Sequence, residues 1–416
     1  MNRTTTTQAL KAELAWFTKA NYFALVLIFF LAGFFVFEDR GHHRNLYYLL
    51  SFLPIAYLVI TKRIPGAFNH KLPWVIVACF LGFTAASALW SSVSLADDAY
   101  DMIRYFLLVM SFLLLIVTVI CDSHWTVERI LLYSVLLVAA IAFATLLIHY
   151  QNNPFPYSRV PALSRHGEVQ TLGANMYGVF ATASLVLLLQ PSTRRSLAPA
   201  YLTALAVSAS ILLAFLVLAQ TRGAILALAV TLTTLLALHR SWKTLVCIAL
   251  ALVLVTVSVE LWGSIRGFLE RGAGARPAIW ADAWRQVLEA PWFGQGRTAE
   301  FELDTGSRIY GHPHNVVLYL LLQTGFVGLS LWLICTTYFL LAAYRIGARS
   351  RNWLLLSLMV FGLIAMLFTS RDFLRSPNTT WLLYWLPVGL IIGAQINRAM
   401  TARANRRVGA LQNTGE

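Results

Sequence analysis

Apolar stretches close to twenty residues long recur along the whole chain, and no other feature restricts the possible folds as much. A helix needs about twenty apolar residues to cross the hydrocarbon core of a bilayer. Inside that core every backbone N–H and C=O must find a partner within the protein, which leaves only helices and closed barrels. The alternation that marks a barrel strand is missing from these runs, so they read as helices. Composition agrees: with 58% hydrophobic and 12% charged residues, a 416-residue chain has too little polar surface for a water-soluble globule. About twelve spans are expected, over residues 22–37, 46–60, 74–90, 103–120, 130–148, 172–189, 197–218, 223–238, 245–262, 315–341, 353–368 and 381–396. The fold class is therefore all-α, a polytopic transmembrane helix bundle forming a single domain over 1–416. The first run is followed by Glu38-Asp39-Arg40 and lacks a small-residue cleavage site, so it is expected to remain as a span. Cys79, Cys121, Cys247 and Cys335 lie in or at the ends of spans without metal-type spacing and read as core residues.

Lysines and arginines set the orientation. In a twelve-span count Arg3, Lys11 and Lys19 fall on one side, together with the turns at Lys62/Arg63/Lys71, Arg194/Arg195, Arg240/Lys243 and Arg345/Arg349/Arg351 and the tail from Arg398 to Arg407. Cytoplasmic loops carry the excess of such residues, so both termini are expected in the cytoplasm. The longest opposite loops, a smaller one at 149–171 and a larger one at 263–313, contain arginine but no lysine. The net charge of +14 thus reads as a topology signal and not as a nucleic-acid footprint.

A few polar residues stand out against that layout. The segment 314–329, HNVVLYLLLQTGFVGL, puts His314 where a membrane helix emerges into water and carries a Gly325-x-x-Gly328 step on the same helix. An imidazole there can exchange protons with groups arriving from either phase. The structural alternative is a histidine bonded to its own helix end, with Gly325 and Gly328 letting a neighbouring helix pack closely. Arg222 lies in Gln220-Thr221-Arg222-Gly223, between two spans with almost no loop. A cation at a helix start opposes the helix dipole, whereas that start combined with a guanidinium fork suits a phosphate oxyanion. The alternative is an arginine that snorkels and caps the preceding helix.

In the larger loop Pro277 is well placed to open a helix, and Trp280, Trp284, Val287 and Leu288 recur at helical spacing. That describes an interfacial helix with Arg276 at its entrance and Arg285 on the wetter side, ended by a turn over 291–296. Asp97, Asp98 and Asp101 offer carboxylates to a divalent metal. The better-supported reading is that they open a helix, with Asp101 three residues before Arg104. His312-x-His314 has no carboxylate or thiol company that would make it a metal site.

Gln220-Thr221-Arg222-Gly223-Ala224 opening a helix, Arg276 before Pro277-x-x-Trp280, Pro291…Gly294-x-Gly296, His314-Asn315 with Gly325-x-x-Gly328, and Trp90-Ser91 ending the third span together resemble the O-antigen ligases and their polymerase relatives. The resemblance covers the second half of the chain well and the first half mainly in span layout. It implies a GT-C-like bundle with interfacial helices in a periplasmic loop. It also implies transfer of O-antigen polysaccharide from undecaprenyl diphosphate to a hydroxyl of lipid A–core oligosaccharide, on the periplasmic face of a Gram-negative inner membrane. In that setting Arg222 and Arg276, with Arg266 a weaker third, would bind the donor diphosphate and supply the charge stabilisation that a metal gives nucleotide-sugar enzymes. His314 would act as general base in an inverting displacement, and Asn315 would orient the acceptor or the histidine. Arg159, Arg165 and His166 of the smaller loop would meet an anionic acceptor. No cofactor, metal or nucleic-acid partner is implied; the partners are donor, acceptor and membrane lipids. An O-antigen polymerase is the main rival. A lipid-linked glycan transporter or flippase should show charges at the bilayer midplane and repeated halves, and the sequence displays neither.

Overall fold

The computed structural model describes residues 19–64, 66–68, 70–91, 95–121, 125–164, 166–167, 169–239, 246, 274–306, 308–369 and 372–413. Arg165, Arg266 and the expected ninth span at 245–262, Val246 apart, lie outside the described residues, as do the side chains of Asp97 and Asp98. What is described is an all-α membrane protein. Its helices are α1 (Lys19–Val36), α2 (Arg40–Tyr47), α3 (Leu53–Ile60), α4 (Lys71–Ala86), α5 (Leu95–Cys121), α6 (Val127–Asn152), α7 (Gln170–Leu189), α8 (Pro191–Ser196), α9 (Pro199–Leu218), α10 (Arg222–His239), α11 (Arg276–Glu289), α12 (Val316–Ser350), α13 (Leu354–Met366) and α14 (Leu386–Asn413). Among the described residues six are long and apolar enough to cross a membrane: α4 with the tight turn that extends it to Trp90, α5 from Ala99, α6, α7, α9 and α12; α1, α10 and α13 are shorter apolar helices.

Prolines and glycines explain how these helices bend and pack. Between α2 and α3 the backbone widens over Tyr48–Phe52, where Leu53 N–H donates to Tyr48 O. The cause is Pro54, which lacks an N–H and whose ring would strike the carbonyl four residues back. The same happens over Trp381–Trp385 ahead of Pro387. The carbonyl that Pro387 cannot serve, Leu383 O, lies against Gly362 of α13, where any side chain would collide with it. A Gly389-x-x-x-Gly393 step lets α14 lie on Ile116 and Ile120 of α5. At the centre runs α7, whose most apolar stretch is 89% buried in the protein against 33% for α9, so α7 is the axis of the bundle and α9 faces lipid.

Turns that the twelve-span count places on one side meet one another. On the outer side Trp90 Nε1 donates to Phe293 O (3.2 Å), Arg159 Nε to Ala219 O (3.3 Å) and Arg297 Nη2 to Leu374 O (3.1 Å). On the inner side Gln190 Nε2 donates to Asn352 Oδ1 (2.5 Å), and Asn352 Nδ2 to Glu128 Oε1 (2.6 Å). The turns at each end of the bundle are therefore tied to one another.

Candidate active site

The sequence places His314 and the Gly325-x-x-Gly328 step on one helix, and the backbone corrects this twice. His314 precedes the helix: Asn315 is the cap of α12, its Oδ1 accepting from Val317 N (2.9 Å) and Leu318 N (3.1 Å). His314 itself takes a left-handed backbone (φ 52°), uncommon for a residue with a side chain and tolerated better by histidine than by most. On one side that conformation is pinned by the Asn315 cap. On the other, Trp280 Nε1 of α11 donates to Pro313 O (2.9 Å). The imidazole stands edge-on to His312, ring centroids 4.0 Å apart, with Tyr310 at 6.3 Å.

The second correction is at Gly325, where α12 is broken by a residue at φ 60°, ψ −164°. Gly325 does not receive a neighbouring helix. The 291–296 turn of the larger loop enters the gap and exchanges four backbone bonds with it: Gln295 N to Leu322 O (2.8 Å), Gly296 N to Gln323 O (3.0 Å), Phe326 N to Pro291 O (2.8 Å) and Val327 N to Trp292 O (3.1 Å). A Cβ on Gly325 would fall on the Trp292 carbonyl, and one on Gly294 on the Gln323–Thr324 peptide. Gly328 lies against Thr324 and Phe83. Gly296 in turn packs on Ser91 and Ser87, so Trp90-Ser91, Gly294-x-Gly296 and Gly325-x-x-Gly328 form one scaffold.

Against the first half of α12 packs α11. Its buried stripe is Ile279, Ala283 and Val287, packed on Phe301, Leu303, Leu321 and Leu322. Trp284 and Leu288, which the spacing puts on the apolar face, are exposed together with Trp292 and Phe293. Arg285 is exposed as expected and pairs with Asp282 (2.6 Å). A short hairpin, β1 (Leu303–Asp304) with antiparallel β2 (Ile309–Tyr310), brings Tyr310 to His314. Its Asp304-Thr305-Gly306 turn is the kind of signal from which a hairpin can be read.

A cavity of about 320 Å³ opens here, lined by Arg276, Tyr310, His312, His314, Phe368 and Thr369, by Gly274, Ala275 and Ile279, and by Val169, Thr171 and Leu172. Arg276 Nη2 donates to Phe368 O (3.4 Å) and the guanidinium lies over the Phe368 ring (5.6 Å). Arg222, first residue of α10, is close by, because Gly223 packs on the Phe368 side chain. Burial lowers the Arg276 pKa below the usual arginine value, and the charge of Arg222 lowers it further. The turn that presents Arg222 is held from the smaller loop: Gln220 adopts φ 51°, and Arg159 reaches both Ala219 O and Gln220 O (3.4 Å) at the C-terminal end of α9, where a cation is favourable. Arg159 thus touches the Arg222 turn and does not line the cavity.

Sequence reasoning missed a second cluster. Asp372, buried, accepts from Arg297 (3.0 Å), Arg375 (3.1 Å) and the Tyr319 hydroxyl. Burial raises the Asp372 pKa, but the charge of Arg297 and then of Arg375 outweigh it, so its carboxyl is held below the ordinary range. This cluster joins the larger loop, the first turn of α12 and the loop before α14. Among the described residues no three His, Cys, Asp or Glu side chains gather as a metal would require; Asp101 pairs with Arg104 at 2.9 Å.

A family profile described as O-antigen ligase matches residues 205–333, the stretch holding Arg222, Arg276, His314 and the broken helix. An O-antigen ligase of Pseudomonas aeruginosa is 27% identical over 392 residues, 93% of this chain and 92% of that protein. The chain is therefore similar to O-antigen ligases along nearly its whole length. O-antigen ligases are glycosyltransferase-type enzymes of lipopolysaccharide synthesis, and the matched stretch holds Arg276 and His314 of the cavity and Arg222 beside it.

Proposed function

We propose that the protein transfers O-antigen glycan from undecaprenyl diphosphate to a hydroxyl of lipid A–core oligosaccharide, on the periplasmic face of the Gram-negative inner membrane, with both termini in the cytoplasm. The observation that carries this reading is the meeting of Arg276 and His314 on one cavity beside Arg222. Two like charges held close together are relieved by an anion between them, and the guanidinium fork matches phosphate oxygens. Arg222 and Arg276, joined by Arg266, hold the donor diphosphate and stabilise the charge that grows on it as the anomeric C–O bond breaks. His314 takes the proton of the acceptor hydroxyl while that oxygen bonds to the anomeric carbon from the opposite face. The products are the inverted glycoside and undecaprenyl diphosphate. Asn315 acts through the backbone, capping α12 so that His314 keeps its place. Arg159 steadies the turn before Arg222, and Arg165 meets the acceptor. The two arginines do the work a metal does elsewhere, so the transfer runs without one.

The test is transfer from lipid-linked donor to purified lipid A–core, measured beside donor affinity. His314→Ala should lose roughly a hundredfold to ten-thousandfold in rate and still bind donor, while His312→Ala loses far less. A near-normal rate in His314→Ala removes the general base. Loss of donor binding instead moves His314 to the phosphate ligands. Extension of a second lipid-linked chain in place of lipid A–core would make the enzyme a polymerase.

A further inference from the structure

Two stretches of chain leave the donor cavity and line another. Val169, Thr171 and Leu172 border the first, and His166 on the same loop borders the second. Phe368 and Thr369 border the first, and Arg375, Asn378 and Thr379 the second, which Arg40 completes. This second cavity is small, about 80 Å³. Sites for whole small molecules run to roughly 300–1,000 Å³, so it has room for a single compact group and not for a sugar chain.

Its chemistry is that of an anion site. Arg375 shares one carboxylate, Asp372, with the buried Arg297, so two guanidiniums face a single negative charge. Arg40 is the first residue of α2, where a cation opposes the helix dipole. The helix start there is served by Asp39, whose side chain accepts from Gly41 N (2.7 Å). Thr379 lies at a backbone turn where Asn378 Oδ1 accepts from Thr380 N (2.8 Å) and leads into the last helix, an arrangement that favours negative charge. His166 is buried and its Nε2 lies 3.1 Å from Nδ1 of His43. His43 packs among Phe30, Phe34 and Phe37, and its Nε2 must donate to Phe30 O (3.0 Å). Its Nδ1 is then the acceptor, His166 Nε2 the donor, and any second proton on His166 is carried by Nδ1.

We propose that Arg40, His166 and Arg375, with the Asn378–Thr379 turn, form a subsite for a phosphate group carried by the acceptor. This rests on the reading above, in which the neighbouring cavity holds the donor and the attacking hydroxyl. Phosphate at Arg375 is one carboxylate away from Tyr319, in the first turn of the helix whose cap fixes His314, so the subsite registers the acceptor on the catalytic end of α12. A bilayer phospholipid could supply the same phosphate chemistry, and the test separates the two sources.

Binding of lipid A–core, intact or dephosphorylated, is measured on donor-free purified protein in nanodiscs of neutral lipid. Dephosphorylation should weaken wild-type binding about tenfold to a hundredfold, the worth of a charge-assisted contact. Arg40→Ala and Arg40→Glu should weaken the intact acceptor by a similar factor and leave the dephosphorylated one unchanged, because the two losses remove the same interaction. Arg40→Lys should fall between. Equal losses for both acceptors, or none for either, overturn the proposal. So does wild-type binding that ignores acceptor phosphate but responds to added phosphatidylglycerol through Arg40, which would make a lipid headgroup the ligand. Binding needs no turnover, so phosphate-dependent binding without glycan transfer would sink the transferase reading and keep the subsite. Normal transfer with phosphate-blind binding would do the reverse.

Discussion

At the scale of single residues, the cavity shows why arginine is needed and lysine is not enough. Arg276 is half-buried and close to a second cation, and both raise the cost of its charge until an anion arrives, while the face of Phe368 offsets part of it. An ammonium would keep the charge and lose both the fork and the stacking. Arg222→Lys and Arg276→Lys should therefore each lose most of the transfer rate while reaching the membrane in normal amount, which initial rates and donor titration will show. Full activity in both lysine variants would reduce these residues to lipid anchors. The same account expects a chelator to leave the purified enzyme active, and dependence on added magnesium or manganese would bring Asp97 and Asp98 back as ligands. Arg222 and His314 stand out in the sequence as polar residues at the edges of apolar spans, and Arg276 as the residue before the proline that opens an interfacial helix. Asp372 gave no such signal. It lies in a short polar turn, and only the fold brings Arg297, seventy-five residues earlier, to its carboxylate.

Among elements, the broken α12 carries the site. Hydropathy sees residues 316–350 as one run, because a break at Gly325 changes no side chain's polarity; what breaks the helix is the backbone of a loop thirty residues away. An all-α membrane protein could be read from apolar length alone, whereas the break depends on two glycines facing each other's chains. Gly325→Ala and Gly294→Ala combine a left-handed backbone with a collision against peptide atoms and should each cost about 2–4 kcal/mol. Gly306→Ala has the same backbone sign but open space around it, and should cost only about 1–2 kcal/mol. Thermal unfolding in detergent compares the three, and equal losses would show that the loop is not held in the gap. Asp372 ties the elements together, and its removal should cost about 3–5 kcal/mol, since two guanidiniums lose their shared carboxylate. Its folded pKa lies below the unfolded value, so its stabilisation is present above the ordinary carboxylate pKa and is lost as pH falls through the lower folded one. Asp372→Asn should therefore be less stable at neutral pH and lose less on acidification than the wild type.

For the whole molecule, the smaller loop bonds to the turn before α10, the larger loop to the turn before α14, and Gly223 packing on Phe368 brings the two together, so a single orientation decides where every candidate residue acts. In the proposed topology, which rests on loops with arginine but no lysine and on lysine-bearing turns opposite, this outer side is periplasmic. In a cysteine-free background Glu300→Cys, exposed in the larger loop, should react with an impermeant thiol reagent from the periplasm, and Ser350→Cys, exposed at the far end of α12, should not. Labelling of Ser350 alone would turn the protein over and take the periplasmic chemistry with it. Orientation shared, ligase and polymerase still differ in what they leave behind when absent. A ligase acts after the chain is built, so its loss leaves finished polymer on undecaprenyl diphosphate with no acceptor to receive it. A polymerase acts earlier, and its loss leaves single repeat units. The proposed donor cavity, about 320 Å³, serves either outcome; the second, basic cavity bordering the same loops suits, on the proposal above, an acceptor that carries phosphate of its own. A strain lacking this protein should therefore accumulate long lipid-linked polymer and unsubstituted lipid A–core, read by extraction and gel separation of both pools, and accumulation of single units would assign the protein to the polymerase branch.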